Sequence, residues 1–231
     1  MEGNPQLLFY LLFIPNMLLA LSIHEASHAG SAYLLGDDTA ARAGRVTLNP
    51  IPHIDPFGLL AFFIVHFGWA KPVPVNPLNF KEPRRDNMLV SLAGPASNLI
   101  LALILLLAIR VILWQSGPAA SEGVKTALAI LFIGAQLNVV LCIFNLLPIP
   151  PLDGSHILLG LLPESVSRKL EPYMAYGPTI FIVLIVAVIL FGLPIFRILI
   201  FTPMQYFLAL VLGLDNFRLM HFTLQNFLLG A

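Results

Sequence analysis

The string His-Glu-Ala-Ser-His at residues 24–28 constrains this chain most, because it stands inside an apolar run over residues 7–35. Side chains four residues apart on an α-helix project from one face, one turn above the other, so His24 and His28 can reach a single metal ion. Glu25 then lies beside the metal without serving as a ligand. Its carboxylate is free to take a proton from water, which is the division of labour of metalloproteases that carry His-Glu-x-x-His.

The apolar setting makes this string costly. A charged side chain at the centre of a bilayer costs about 2.5 kcal/mol or more unless it pairs or binds something. The structural alternative is a pair of buried histidines that are hydrogen-bonded to neighbouring backbone. The cost favours a functional site over that alternative.

Composition places the chain in the membrane. Apolar residues make up 58% of the sequence and charged residues 10%, whereas soluble domains carry about 25% charged residues. No basic cluster indicates a nucleic-acid partner, and the single cysteine, Cys142, excludes an intramolecular disulfide. The first residues lack the Lys or Arg of a signal peptide, so we expect the first helix to be retained.

The apolar runs predict an all-α polytopic membrane protein with about four to six transmembrane helices. We expect one membrane-embedded domain over residues 1–231, with a catalytic core at about 7–160 and C-terminal helices at about 176–231. The predicted tail, residues 215–231, has the mixed pattern of a helix lying at the membrane interface. The predicted spans cover residues 7–35, 87–114, 124–147 and 179–193, with a less regular fifth at 195–212.

The connection between the first two spans has a different character. Residues 42–48 alternate in the manner of a short strand, and residues 71–75 are restricted to an extended form by Pro72 and Pro74. Residues 57–69 are apolar but too few to cross a bilayer. We therefore predict a re-entrant or short β segment between the first two core helices.

The distribution of positive charge brings two distant stretches to one side of the membrane. Six of the twelve Lys and Arg residues lie between the first two spans, and Arg168 and Lys169 follow the third. By the positive-inside tendency these connections are cytoplasmic. Asp153 then lies on the same side as the two histidines, where a carboxylate can supply the third protein ligand of a catalytic zinc ion. The alternative for Asp153 is to cap the helix that begins beside it.

Three stretches together resemble the site-2 protease family of intramembrane zinc metalloproteases. They are His-Glu-x-x-His at 24–28, Ser-Leu-Ala-Gly-Pro-Ala-Ser-Asn at 91–98, and residues 145–154, which end in Leu-Asp-Gly. The resemblance covers roughly residues 7–160. No PDZ or CBS domain fits within these 231 residues, so the chain resembles a short form of the family.

The resemblance implies a zinc metalloendopeptidase with one zinc ion per chain, bound by His24, His28 and Asp153, and with Glu25 as the general base. It implies that the substrate is a membrane-spanning helix, cut within or near the bilayer. We expect a multi-pass protein of the cell membrane whose active site faces the cytoplasm.

Several polar residues near these motifs keep two interpretations. Asn145 can hold an extended substrate by side-chain hydrogen bonds or cap the end of the third helix. His53 can steady the oxyanion of the reaction or bond to the backbone of its loop. His156 is a rival zinc ligand three residues after Asp153, whereas His66 and His221 are predicted to be interfacial.

Other classes of protein explain less of the sequence. A serine intramembrane protease would need a Gly-x-Ser-Gly loop, and an aspartyl one would need two intramembrane aspartates; the chain has neither arrangement. A zinc or proton transporter can use the same His, Glu and Asp cluster. A transport path also needs polar residues through both leaflets, and the outer halves of the second and third spans are nearly all apolar.

Overall fold

The computed structural model describes residues 5–65, 68–116 and 121–229 of the 231-residue chain. Within these ranges the secondary structure is helical and no strand is present. Ten α-helices follow one another in the described residues: α1 (Pro5–Leu34), α2 (Thr39–Arg42), α3 (Pro56–Val65), α4 (Pro83–Ser116), α5 (Glu122–Asn145), α6 (Asp153–Leu161), α7 (Glu164–Leu170), α8 (Gly177–Phe191), α9 (Thr202–Leu212) and α10 (Leu214–Leu229).

Four helical stretches are long and apolar enough to cross a membrane: Gln6–Leu34, Pro83–Ser116, Glu122–Asn145 and Glu164–Val188. The pair Arg197–Leu212 and Leu214–Leu228 bends by 116° and counts as a fifth if it forms one broken span. Large apolar side chains such as Leu107 and Trp114 of α4 are exposed, which suits a helix surrounded by lipid. The chain is an integral membrane protein, as its composition predicts.

The predicted β segment is wrong. Thr39–Arg42 is the short helix α2, and Gly44 follows it with a left-handed φ of +67°, so the alternating pattern of residues 42–48 does not form a strand. Residues 71–75 belong to no helix or turn, as the extended form predicted for them from Pro72 and Pro74 requires. The described residues contain a single isolated antiparallel bridge, between Ile54 and Ala70.

The short apolar run after residue 56 forms α3, a helix of 10 residues. The carboxylate of Asp55 accepts hydrogen bonds from the backbone N–H groups of Phe57 and Gly58 and so starts the helix. At about 1.5 Å per residue, a helix of this length is half of what a bilayer core requires. His66 lies outside the described residues, so its predicted interfacial position stays a prediction.

The chain divides into two compact units. One comprises residues within Met1–Ala20, Asn98–Leu141 and Ile195–Ala231; the other comprises Leu21–Ser97 and Cys142–Pro194. The second unit contains all three stretches of the site-2 protease resemblance except Asn98. That the chain forms one functional domain stays a prediction.

A buried amide pair joins helices inside the first unit. The side chain of Asn98 donates to the backbone carbonyl of Ala20 at 3.1 Å and to Oδ1 of Asn138 at 2.8 Å. Asn138 donates in turn to the carbonyl of Gly134 at 2.8 Å. Side-chain hydrogen bonds between helices stabilise membrane proteins because lipid offers no replacement partner.

We expect Asn138→Ala to destabilise the protein by about 0.6–2 kcal/mol, since Asn98 then loses a buried acceptor. Thermal unfolding in detergent measures the change. Asn216→Ala is the matched control, because the Asn216 amide bonds only to the nearby carbonyl of Leu212. Equal melting temperatures for the two variants would contradict the role of the buried pair.

Candidate metal centre

His24 and His28 lie one turn apart on α1, with their imidazole rings directed to the same point. Their Nε2 atoms are 3.0 Å apart. Both residues are buried, with 5% and 8% of their surface exposed. Two uncharged imidazoles with facing nitrogens can share one metal ion, so the spacing in the sequence becomes a pair of adjacent donor atoms in the fold.

Asp153 brings a carboxylate to the same point. Its Oδ2 lies 3.2 Å from Nε2 of His24 and 3.3 Å from Nε2 of His28. This oxygen is buried and accepts no well-oriented hydrogen bond from the described residues. Burial would raise the pKa of Asp153, yet the adjacent ring nitrogens of His24 and His28 lower it to about 2. The direction of this pKa shift favours the ionised carboxylate, which is the form that binds a metal.

The three donor atoms fit a zinc ion. Ligand atoms about 2.0–2.2 Å from a tetrahedral zinc ion lie roughly 3.3–3.6 Å apart. The three separations found here are 3.0, 3.2 and 3.3 Å, at the lower end of that range or up to about 0.3 Å below it. Oδ2 of Asp153 is buried without a hydrogen bond and faces two imidazole nitrogens. A cation at this point would give the oxygen the partner that buried polar atoms normally have.

Asp153 reaches this point because the chain turns sharply after α5. That helix ends at Asn145, and α6 begins at Asp153 itself. Gly154 packs so closely that a Cβ there would overlap the carbonyl oxygens of Leu146 and Leu147. The residue before the helix is Leu152, and α6 has no side-chain cap. The alternative of Asp153 as a capping residue is therefore wrong.

α4 supports the histidine pair from its side in two ways. Nδ1 of His28 donates to the backbone carbonyl of Val90 at 2.7 Å, which leaves Nε2 unprotonated and orients the ring. Gly94 faces both rings directly. A Cβ at Gly94 would lie 2.6 Å from Cε1 of His28 and 2.7 Å from Cε1 of His24, and closer still to Nε2 of His28. Only a residue without a side chain fits there.

Glu25 lies beside this group but is not one of the three converging ligands. It is buried, and its Oε2 accepts a hydrogen bond from the backbone N–H of Val73 at 3.1 Å. The same oxygen lies 4.0 Å from Nη2 of Arg45. Its other oxygen, Oε1, accepts no hydrogen bond from the part of the chain that the structure describes.

Comparison with known proteins relates this geometry to a family. Residues 108–190 match the model of peptidase family M50. A putative zinc metalloprotease of Bacillus subtilis, YwhC, is 47% identical over 171 residues, which cover 74% of this chain and 78% of the relative. The chain belongs to peptidase family M50, the site-2 proteases. Putative zinc metalloprotease Rip2 of Mycolicibacterium smegmatis is 35% identical over 181 residues, covering 77% of this chain and 67% of that protein. No solved structure matches the chain.

Membership in family M50 identifies the chain as a site-2-type metallopeptidase whose cofactor is zinc. The relatives are named as zinc metalloproteases, so the transporter alternative has no support. The group His24, His28 and Asp153 is the only one in the described residues where three such side chains could hold a metal ion. The individual roles of these residues stay predictions.

His53, a predicted substrate contact in this M50 protein, is engaged elsewhere. It is buried, its Nε2 donates to the carbonyl of Thr47 at 2.9 Å, and its Nδ1 accepts from Nη2 of Arg45 at 3.2 Å. Both ring nitrogens are thus used within the loop, which agrees with the alternative of a loop histidine. Asn145, the last residue of α5, is partly buried, and its substrate contact stays a prediction.

His156 and His221 have contacts of their own and are not members of the three-residue ligand group. Nδ1 of His156 is 3.3 Å from the side-chain amide of Asn87, and burial lowers the pKa of His156. The ring of His221 packs edge-on against Phe132 and Phe217. Neither donates to the three-residue metal group of this M50 protein.

Sequence reasoning missed two parts of the site. In the sequence Gly94 is only one residue of the Ser-Leu-Ala-Gly-Pro-Ala-Ser-Asn stretch, and no role at the metal was predicted for it. Arg45 was counted only as a positive charge of a cytoplasmic loop, yet its guanidinium is buried next to Glu25. Its position three residues after Arg42, in a strand-like pattern, contains no signal for an inward direction.

We expect Gly94→Ala to lower zinc occupancy at least about tenfold, because the new methyl group displaces the rings that hold the metal. Metal analysis of the purified protein measures this. Gly30→Ala is the matched control in α1, since a Cβ there meets nothing within 4 Å. It should keep zinc and raise helix stability by up to about 1 kcal/mol. Full zinc content in Gly94→Ala would contradict the close fit.

Proposed function

We propose that this protein is an intramembrane zinc protease that cuts membrane-spanning helices within or near the bilayer. The observation that carries the proposal is the convergence of His24, His28 and Asp153, whose donor atoms lie within 3.3 Å of one another, beside a glutamate outside that group. The site-2-type family supports the same reaction class.

In this proposal His24, His28 and Asp153 would hold the zinc ion. Bound zinc supplies a Lewis acid that polarises a peptide carbonyl and acidifies water. Glu25 accepts the proton of the attacking water and passes it to the departing amine. Its Oε1, which has no partner in the described residues, is the atom suited to that transfer.

A helical substrate must unwind first, because its carbonyl oxygens are engaged in the hydrogen bonds of its own helix. The extended residues 71–75 are suited to receive it as an added strand. Pro72 and Pro74 have no backbone N–H group. The N–H of Lys71 donates to the carbonyl of His53, and the N–H of Val73 donates to Glu25. The N–H of Val75 has no acceptor in the described residues and is available to a substrate carbonyl.

The test compares purified wild type with Glu25→Gln in detergent, against a panel of single-span membrane proteins. We expect about one zinc ion per chain in both proteins, and a cleavage rate roughly 10²–10⁴-fold lower in the variant. Glu122→Gln is the matched control, since Glu122 pairs only with Lys125 on the surface, and it should cleave as wild type does.

Asp153→Ala should lose its zinc as well as its activity, which separates a ligand from a base. Absence of zinc from the wild type, or cleavage unaffected by Glu25→Gln, would sink the assignment. A shared loss of zinc in Glu25→Gln and Asp153→Ala would also contradict the separate roles.

We further propose that the site faces the cytoplasm of a cell membrane, because the positively charged connections lie on its side of the predicted topology. Replacing Cys142 by Ala provides a background for single cysteines. An impermeant maleimide should label Ser121→Cys in intact cells, and Lys81→Cys only after permeabilisation. The reverse pattern would overturn the orientation.

A further inference from the structure

The loop between α2 and α3 buries a guanidinium beside the proposed general base. Arg45 is 4% exposed, and its Nη2 lies 4.0 Å from Oε2 of Glu25. Arginine is among the residues least often buried without a partner. Burial lowers the pKa of Arg45 while the Glu25 carboxylate acts to raise it. The contacts of the guanidinium should therefore explain why Arg45 is buried here.

Arg45 holds the extended segment at the site. Its Nη2 donates to the carbonyl of Lys71 at 2.6 Å, and its Nη1 donates to the carbonyl of Pro72 at 3.1 Å. The next residue, Val73, is the one whose N–H donates to Glu25. The guanidinium and the carboxylate therefore hydrogen-bond to three consecutive residues of the extended segment, Lys71, Pro72 and Val73.

As a result, the two carboxylate oxygens of Glu25 have different surroundings. Oε2 takes the N–H of Val73 and faces the positive charge of Arg45, whereas Oε1 has no hydrogen bond from the described residues. When one oxygen of a carboxylate is anchored by a hydrogen bond, the position of the other oxygen is fixed as well. General-base catalysis depends on that position, because the proton is transferred only within hydrogen-bond reach.

A contribution to folding stability alone does not explain why the Arg45 side chain is buried. Its Nε is buried and has no hydrogen-bond partner in the described residues, and an unpaired buried donor destabilises a fold. Apolar replacements of buried ionic groups are often neutral or stabilising. The Arg45 guanidinium is costly to bury and contacts the segment that hydrogen-bonds to Glu25. An effect on Glu25 therefore explains its burial better than stability does.

We propose that Arg45 is a positioning residue, which fixes residues 71–73 so that Val73 N–H anchors one oxygen of Glu25 and leaves the other for the reaction. This inference rests on the proposed function. It assigns Arg45 no contact with the metal and no proton of its own.

The first experiment measures catalysis by full-length Arg45→Met in detergent, with the most rapidly cut single-span protein of the panel. We expect kcat to fall about 10- to 100-fold, since a small misplacement of a catalytic group is enough for that loss. KM should stay within about threefold and zinc at one per chain, because substrate and metal contacts remain. Arg84→Met is the matched control: Arg84 donates to the carbonyls of Leu159 and Gly160, with no contact to Glu25.

The second experiment reads the segment itself by hydrogen–deuterium exchange resolved to single amides. Residues 71–76 contain four amide hydrogens, at Lys71, Val73, Val75 and Asn76. In Arg45→Met we expect faster exchange at Lys71 and Val73. The N–H of Asn76 donates to the Asp37 carboxylate at 2.7 Å, so its exchange should not change and serves as an internal reference.

Arg45→Lys keeps the proposal testable if Arg45→Met does not fold. A lysine has one compact charge in place of a planar fork, so it should retain zinc and KM but lose about tenfold in kcat. If whichever of these variants folds matches wild type in kcat or in Val73 exchange, the role of Arg45 is overturned. If the wild type cuts no substrate, the proposed function fails and this role fails with it. The two failures are therefore distinguishable.

Discussion

The mutual approach of two imidazoles and a carboxylate within a strongly apolar chain is the constraint on which the rest of the structure depends. Three such groups, about 3 Å apart and shielded from water, are unfavourable unless a cation lies among them. The fold around them removes competing partners. Val90 takes the outer nitrogen of His28, and Gly94 offers no side chain. The centre therefore has few ways to be satisfied other than by the zinc of its family.

The connection between α1 and α4 serves as the second support of the site. Asp37, fully buried at the end of α1, accepts hydrogen bonds from Thr39, Asn76 and Asn79. Burial would raise the pKa of Asp37, but these hydrogen bonds lower it. Asp37 thus holds one end of the extended segment, and Arg45 holds the other. Hydrogen bonds from side chains, and not from a β-sheet, hold this backbone within the described residues.

Sequence patterns were informative where one residue's chemistry decides its place. The spacing of His24 and His28 predicted that both rings would reach one point, and the charge pattern predicted that Asp153 would lie on the same side. The pattern failed at residues 42–48, because alternation reports which side chains are apolar and not where the chain turns. In that stretch Gly44 has a positive φ and Arg45 is buried, so the chain forms a loop and not a strand. Inward charges and close approaches depend on tertiary contacts that no local pattern contains.

The two prolines of the extended segment have a consequence for the free protein. An open strand edge is a template on which other chains can pair and aggregate. Pro72 and Pro74 remove two of its donors, and the fold uses three others, so a single N–H, that of Val75, stays available in residues 71–76. Such an edge can hold one short extended peptide, but it cannot seed a growing sheet. If the proposed cutting of unwound membrane helices takes place at this segment, the protein would receive them one at a time and would not become a nucleus for their aggregation.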